Sequence, residues 1–322
     1  MTLHRRALLH AAAALPLAAV AAHAAPSGPI RMVIPWAPGG STDVVGRFFA
    51  ESWGRRLDQT VVIENRSGAS GTIGHAYVAN APADGRTVLL ATNSTYAIAP
   101  SLLRGIPYVH ETAFAPVTLL ARSPLVLCVN ARAQATDVAS LIAMAKARPG
   151  GLNMGIGGIG ATSHMASELF MAHSGTQFTL VNYRGSGQTV QAIAAGEIDV
   201  AFLSATTVRA LAEQGLLRVL GTTGTGRSVT LPAVPPIAEA GLPQFEATTA
   251  YALFVPAATP PAEIARLHAA AVEALGEQGL RDKLAVEDIE VVAGGPDVLA
   301  AHVREETAKW AEVIRTRNIS LG

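Results

Sequence analysis

Short apolar runs alternate with amphipathic helical stretches along the first third of the chain, and this order restricts the fold more than any other feature. Ile30–Ile34 reads as a strand, Val44–Leu57 as a helix, Val61–Ile63 as a strand, Ile73–Asn80 as a helix and Thr87–Ala91 as a strand. A strand–helix–strand–helix–strand order argues for a parallel sheet with helices on its faces. The alternation resumes beyond Ala131. Helices Val138–Ala147, Ser163–Met171 and Thr189–Ala195 interleave with strands Leu152–Ile156, Thr179–Tyr183 and Ile198–Leu203, and strand Leu217–Thr222 follows. A Pro-rich stretch around Pro232, Pro235 and Pro236 precedes a strand ending at Val255, after which helices run near 262–278, 280–285 and 296–318. Two α/β blocks followed by returning helices predict two lobes with a cleft between them.

The 322 residues suit two domains at about 150 residues each. Only 15% are charged, against roughly 25% in a typical soluble domain, which excludes a solvating or disordered chain. Lys+Arg and Asp+Glu tie at 24 each, so no charge excess points to nucleic acid. Cys128 is the single cysteine, which excludes an internal disulfide, and its apolar run Pro124–Val129 marks it as a core residue.

The N-terminus sets the expected compartment. Arg5 and Arg6 precede an apolar stretch from Ala7 to Ala22, and Ala22-His23-Ala24 is the small-x-small pattern of a signal-peptidase site. Residues 1–24 are therefore expected to be a cleaved signal peptide, with the mature chain beginning at Ala25. The apolar stretch is shorter than the ~20 residues a membrane span needs. An exported, soluble, periplasmic protein is the expectation.

Ligands of open α/β sheets bind where strand carboxyl ends meet helix starts, so the turns at those ends carry the chemistry. The first is Pro35-Trp36-Ala37-Pro38-Gly39-Gly40-Ser41-Thr42-Asp43. Its glycines permit close backbone approach, and the helix start suits an anion such as a carboxylate. Asp43 reads as a helix cap. The second is Asn65-Arg66-Ser67-Gly68-Ala69-Ser70-Gly71-Thr72, and the third is Thr92-Asn93-Ser94-Thr95. A fourth, Gly155 to His164, matches G-x-G-x-x-G at Gly155, Gly157 and Gly160. The next strand lacks the acidic residue that would hold a ribose hydroxyl, so a dinucleotide cofactor is not expected. The fifth is Asn182 to Gln188, in which Arg184 can pair a carboxylate bidentately. Hydroxyls at Ser204, Thr206 and Thr207 follow the next strand. Each turn taken alone is equally compatible with an ordinary capped loop.

Catalytic patterns are missing from the sequence. There is no G-x-S-x-G elbow, no Gly-Lys-Ser/Thr phosphate loop and no H-E-x-x-H. The carboxylates are scattered. Neither an enzyme nor a metal site is expected.

The ordered set of motifs resembles a known family. Pro35 to Asp43, Val62-Ile-Glu-Asn-Arg-Ser-Gly-Ala-Ser-Gly71, Ala83-Asp-Gly85, Thr162-Ser-His164, Tyr183-Arg-Gly185, Gly196-Glu-Ile-Asp-Val200, Pro235 to Pro243 and Phe254 to Pro260 are similar to the Bug family of periplasmic substrate-binding proteins of tripartite tricarboxylate transporters. The resemblance runs in order through the whole mature chain. It implies a type II periplasmic-binding-protein fold of two α/β lobes joined by two crossing strands, near Pro124–Val129 and Thr248–Val255. Lobe 1 would comprise 25–125 and 250–322, and lobe 2 would comprise 126–249.

It also implies a small organic acid as ligand, membrane subunits of a transporter or a sensor kinase as partner, and a monomer without cofactor. The rival readings are a ligand-sensing partner of a membrane sensor kinase, with no transport role, and behind it an exported enzyme acting on a carboxylate. By the resemblance, Trp36, Ala37, Gly39, Gly40 and Ser41 carry the ligand site in the first turn, with Ala69, Ser70 and Gly71 in the second and Thr92, Asn93 and Ser94 in the third. Thr162, Ser163, Arg184, Gly185 and Ser204 face them from the second lobe. Two departures bear on the ligand. Arg184 replaces the family's common lysine, and after the strand Ile198–Phe202, where many relatives carry Asp or Asn, Leu203 and Ser204 follow here. An apolar residue there offers no partner to an ammonium group, so an acid without a cationic amine is expected.

Overall fold

The computed structural model describes residues 28–320. The expected signal peptide lies outside the described residues.

The first block folds as β1 (Ile30–Ile34), α1 (Ser41–Leu57), β2 (Val61–Asn65), α2 (Thr72–Ala79), β3 (Thr87–Thr92) and the short α3 (Ala99–Leu102). β1 pairs in parallel with β2 on one side and β3 on the other. The second block comprises α4 (Val138–Ala147), β5 (Asn153–Ile156), α5 (Thr162–Ser174), β6 (Thr179–Asn182), α6 (Ser186–Ala195), β7 (Val200–Ser204), α7 (Ala205–Glu213) and β8 (Leu217–Thr222). β5 pairs in parallel with β6 and β7. The two blocks thus share one topology, with the first strand of each between its second and third.

β4 (Phe114–Asn130) and β9 (Thr248–Pro256) join the blocks. From Phe114 to Pro124, β4 runs antiparallel to β9, and from Leu125 to Val129 it runs antiparallel to β7. The strand therefore changes partner between Pro124 and Leu125, and at that point Pro124 is paired with Thr248, the first residue of β9. α8 (Pro261–Leu275), α9 (Gln278–Val286), β10 (Glu290–Gly294) and α10 (Pro296–Thr316) return to the first lobe, where β10 pairs with β4.

Register fixes where the strand ends point. Thr92 at the end of β3 pairs with Tyr251, whereas Leu89 pairs with Phe254. Ser204 at the end of β7 pairs with Leu125, whereas Val200 pairs with Val129. In both lobes the parallel strands therefore run with their carboxyl ends toward the Pro124–Thr248 crossing. The helix starts of the two lobes meet at one junction.

The cores explain the layers. Phe49 and Trp53 of α1 stack at 5.2 Å, and the Trp53 indole donates to the Leu267 carbonyl of α8 at 3.1 Å. In the second lobe Phe170, Phe202 and Phe245 pack ring against ring. A continuous apolar cluster holds residues of both lobes, among them Leu89, Leu127 and Phe170, together with Trp310, Val313 and Ile314 of α10. Cys128 is buried on β4, and burial pushes its thiol up to about 12.

Two strands differ from the sequence reading. β4 begins ten residues before Pro124, at Phe114, and β10 falls where no strand is expected. Pro116 and Pro124 interrupt the alternation in the first case. In the second, Val291, Val292 and Ala293 form too short an apolar run between helices.

Candidate functional site

The first turn is built around Asp43. No side chain caps α1 at Gly40; instead the Asp43 carboxylate, in the first helical turn, accepts the Gly39 N–H at 3.0 Å. The same carboxylate binds Arg47 through Nε at 2.9 Å and Asn65 Nδ2 at 3.0 Å. Asn65 Nδ2 also donates to the Trp36 carbonyl at 3.1 Å. Burial opposes ionisation of Asp43, but the bonds from Arg47, Gly39 and Asn65 outweigh it and hold the carboxyl below its ordinary range. Ala37, Gly39, Gly40 and Ser41 remain exposed. Ser41 lies beside the buried Tyr251 phenol on β9; burial pushes that phenol up, and the Ser41 hydroxyl pulls it the other way.

The second turn abuts the first and the third. A Cβ on Gly71 would stand 2.6 Å from Thr95 Cγ2 and 3.4 Å from Pro35 Cβ. Gly71 therefore has to be glycine for the three turns to meet. Ala69 and Ser70 both adopt left-handed backbone, with φ of 45° and 53°. Two consecutive non-glycine residues in that region cost energy, and strain of this kind concentrates at ligand clamps. His75 of α2 anchors the turn from beneath through Nδ1–H to the Gly71 carbonyl at 3.0 Å.

The third turn is tied to the first by Trp36, whose Nε1–H donates to Thr92 Oγ1 at 3.3 Å. Thr92 Oγ1 in turn lies 2.8 Å from Ser94 Oγ. The structure thus brings Trp36, Gly71, Thr92 and Ser94 together at the ends of β1, β2 and β3, with Ser41 exposed at the head of α1.

In the second lobe, Ser163 Oγ accepts the Gly157 N–H at 3.3 Å and His164 Nδ1 accepts the Gly160 N–H at 3.1 Å. A Cβ on Gly157 would stand 3.4 Å from the Ser186 nitrogen and 3.5 Å from Ser163 Oγ, so the heads of α5 and α6 lie side by side. Gly155 has a different purpose. A Cβ there would meet Ile198 Cδ1 at 2.4 Å, which makes it a packing glycine and removes one leg of the G-x-G-x-x-G pattern. Arg184 is exposed ahead of α6, and its N–H donates to Gln188 Oε1 at 3.1 Å. Ser204 bonds Thr207 Oγ1 at the start of α7. Gly160 approaches the first lobe, with Leu102 Cδ1 3.1 Å from the position of its absent Cβ.

The parallel strands of both lobes therefore end, with their small-residue turns and helix starts, toward the Pro124–Thr248 crossing of one continuous sheet. A profile of the tripartite tricarboxylate transporter family receptors (TctC) matches residues 45–319. The chain belongs to this receptor family. It is 34% identical to protein BugT of Bordetella pertussis over 305 residues, 94% of each chain. Among solved structures it resembles Rpa4515 of R. palustris with adipate, at 34% identity and a TM-score of 0.81, covering 92% of this chain and 99% of that one. It also resembles MatC of Rhodopseudomonas palustris with bound malate, at 29% identity and a TM-score of 0.77, covering 90% and 99%.

Two residues of this receptor sit differently from what the sequence suggested. Asn93 is fully buried, and its amide donates to the Thr248 carbonyl and to Glu306 Oε2, both at 2.8 Å. Its Oδ1 accepts the Ala250 N–H at 3.3 Å. The side chain thus joins β9 and α10, and Thr92 and Ser94 are themselves buried, their hydroxyls bonded to each other and that of Thr92 to Trp36. Leu203 is buried with Val126, Cys128 and Val208 in the apolar core, whereas the following Ser204 is only partly buried. The polar groups at that strand end are the hydroxyls of Ser204, Thr206 and Thr207, which bond to one another. The sequence reading assigned no role to Asp43 beyond a cap, and none to Asn65 or Tyr251. Of the three, only Asn65 stands at a strand end, where a polar residue is a signal; Asp43 lies in the first turn of α1 and Tyr251 within β9.

Proposed function

We propose that the receptor captures a small organic carboxylate in the cleft and delivers it to the membrane subunits of a tripartite tricarboxylate-type transporter, from the periplasm, as a monomeric binding protein without catalysis. The observation that carries this reading is the convergence of helix starts from both lobes on the Pro124–Thr248 crossing. The first N–H groups of a helix have no intrahelical partner and carry the positive dipole end, so they suit a carboxylate. Solved relatives with adipate and malate support the same ligand class.

Lobe 1 is proposed as 25–125 with 250–322 and lobe 2 as 126–249. One carboxylate is proposed to lie against Ala37, Gly40, Ser41, Ala69, Ser70, Thr92 and Ser94, with Trp36 as the apolar wall. Thr162, Ser163, Arg184, Gly185 and Ser204 then engage the ligand from the second lobe. Contacts from both lobes are what let a ligand shift a hinge equilibrium toward the closed form. The six turns hold a single acidic residue, Asp43, and it is committed to Arg47, Gly39 and Asn65. A ligand ammonium would find no free carboxylate there, so the preferred acid carries no amine.

A thermal-shift panel on the chain from Ala25 tests this reading, with aliphatic dicarboxylates including adipate and malate, tricarboxylates, aromatic acids, amino acids and sugars. A ligand that binds only the native state raises the melting temperature. Shifts confined to amine-free acids support the proposal. Shifts with sugars alone, or with an amino acid but not its deaminated analogue, overturn it.

A further inference from the structure

α10 is built into the first lobe along most of its length. His302 Nε2 meets the Tyr96 hydroxyl at 3.0 Å, Glu306 binds Asn93, and Trp310 donates to Glu306 at 2.7 Å. Its last residues leave that lobe. Arg317, the residue that caps α10, donates through Nε to Glu168 Oε2 of α5 at 2.7 Å. The other Glu168 oxygen faces His164 Nε2 at 3.7 Å. His164 Nδ1 accepts the Gly160 N–H, which puts the ring hydrogen on Nε2, toward Glu168. A single chain of contacts therefore runs from the Gly-rich turn at Gly160, through His164 and Glu168, to the terminal helix of the opposite lobe.

The Glu168 side chain is about 10% exposed and that of Arg317 about 31%. Burial would raise the Glu168 carboxyl, but the nearby His164 ring and the bond from Arg317 outweigh it and keep it below its ordinary range. Removing one partner of a largely buried pair leaves an uncompensated charge, so this contact matters more than an exposed ion pair would. Its two arms are unequal. The Arg317 arm is a full hydrogen bond, whereas the His164 arm is an ångström longer.

Resting on the receptor reading above, we infer that Glu168 is a positioning residue that couples the Gly160–Ser163 turn to the angle between the lobes. Arg317 holds Glu168 and with it the lobe angle. An anion that draws in the head of α5 brings His164 onto the free oxygen, and the carboxylate is then shared between the lobes. Such coupling needs a contiguous network; here it runs Gly160–His164–Glu168–Arg317, and the longer His164 arm is the one left to close.

The test is made without ligand, so that its outcome is independent of whether the acid has been identified. Amide exchange of the 157–164 segment is compared between the wild type, Arg317→Leu and Arg317→Lys. Exchange there is expected to rise several-fold in Arg317→Leu, although the substitution lies on another element of the other lobe, and to rise less in Arg317→Lys. In parallel, spin labels at Val272→Cys in α8 and Leu216→Cys beside β8, both exposed positions, report the lobe separation, Cys128 being buried. The distance distribution is expected to broaden in Glu168→Gln and Arg317→Leu and to narrow again in the charge swap Glu168→Arg with Arg317→Glu. Unchanged exchange at 157–164 together with an unchanged distance distribution overturns the inference. So does a broadened distribution that the swap leaves broad. Should Arg317→Leu fail to fold, Arg317→Gln carries the same comparison.

Discussion

Asn93 and Glu306 lie 213 residues apart in the chain and meet at 2.8 Å, amide to carboxylate, behind the third turn of the cleft. The same amide reaches the Thr248 carbonyl where β9 enters the crossing. Asn93 is thus a rivet between β3, β9 and α10. Asn93→Ala leaves the Thr248 carbonyl and the Ala250 N–H without this partner inside the protein. A buried orphaned group costs about 1–3 kcal/mol. A loss of that order is expected in denaturant titration, with the denaturant slope unchanged. A loss below a few tenths of a kcal/mol would remove Asn93 from this role.

Arg184 is the exposed cation of the fifth turn. Its guanidinium can pair both oxygens of a carboxylate, and hydrogen bonds to charged groups contribute about 1.5–3 kcal/mol. Arg184→Ala is expected to weaken binding of whichever acid the panel identifies by roughly ten- to a hundredfold, at a conversion of about 1.4 kcal/mol per decade. Arg184→Lys keeps the charge and loses the fork, so it should fall between the two. Titration calorimetry reads both. Wild-type affinity in Arg184→Ala would place the ligand outside this part of the cleft.

Much of this molecule was legible from residue order, and the gaps have physical causes. The alternation of Ile30–Ile34, Val44–Leu57 and the following runs reads correctly because each parallel strand is a short apolar run closed by a glycine or a polar turn. β4 was legible only from Pro124 onward, because its first half carries Pro116, Thr118, Arg122 and Ser123 and is a strand by virtue of pairing with β9 and β10. At the strand ends, the turns that hold Trp36, Ser41, Thr92 and Ser94 were legible as turns. The burial of Asn93 was not, since Glu306 and Thr248 reach it from far along the chain. Leu203 shows the same limit. Strand alternation decides which of Leu203 and Ser204 faces the core, and a shift of one residue reverses the answer.

Trp36 joins two turns through one bond, from its indole N–H to Thr92 Oγ1. Trp36→Phe keeps an aromatic wall and removes that bond. A neutral hydrogen bond contributes about 1 kcal/mol, so affinity for the identified acid should drop about fivefold. Trp36→Ala removes the wall as well and should cost more. Equal losses in the two variants would mean that the ring face is unused and only the tie between turns matters.

His75 makes the acid limb of stability predictable. It is buried beneath the second turn with Nδ1–H on the Gly71 carbonyl. Burial lowers its pKa from 6.5 to about 4, despite the bond to Gly71. Between these values the unfolded chain binds a proton that the folded protein does not. Stability is therefore fully present above pH 6.5 and declines as pH falls toward about 4, by up to about 1.4 kcal/mol per pH unit. His110, lowered chiefly by burial against its bond to the Tyr96 carbonyl, adds to the same limb in the same direction. His75→Asn keeps a nitrogen donor for Gly71 and removes the titration. Denaturant titrations stepped down from neutral pH should then show a shallower limb in the variant than in the wild type. Parallel limbs would show that the proton linkage arises elsewhere, and would leave His75 as an anchor of the second turn only.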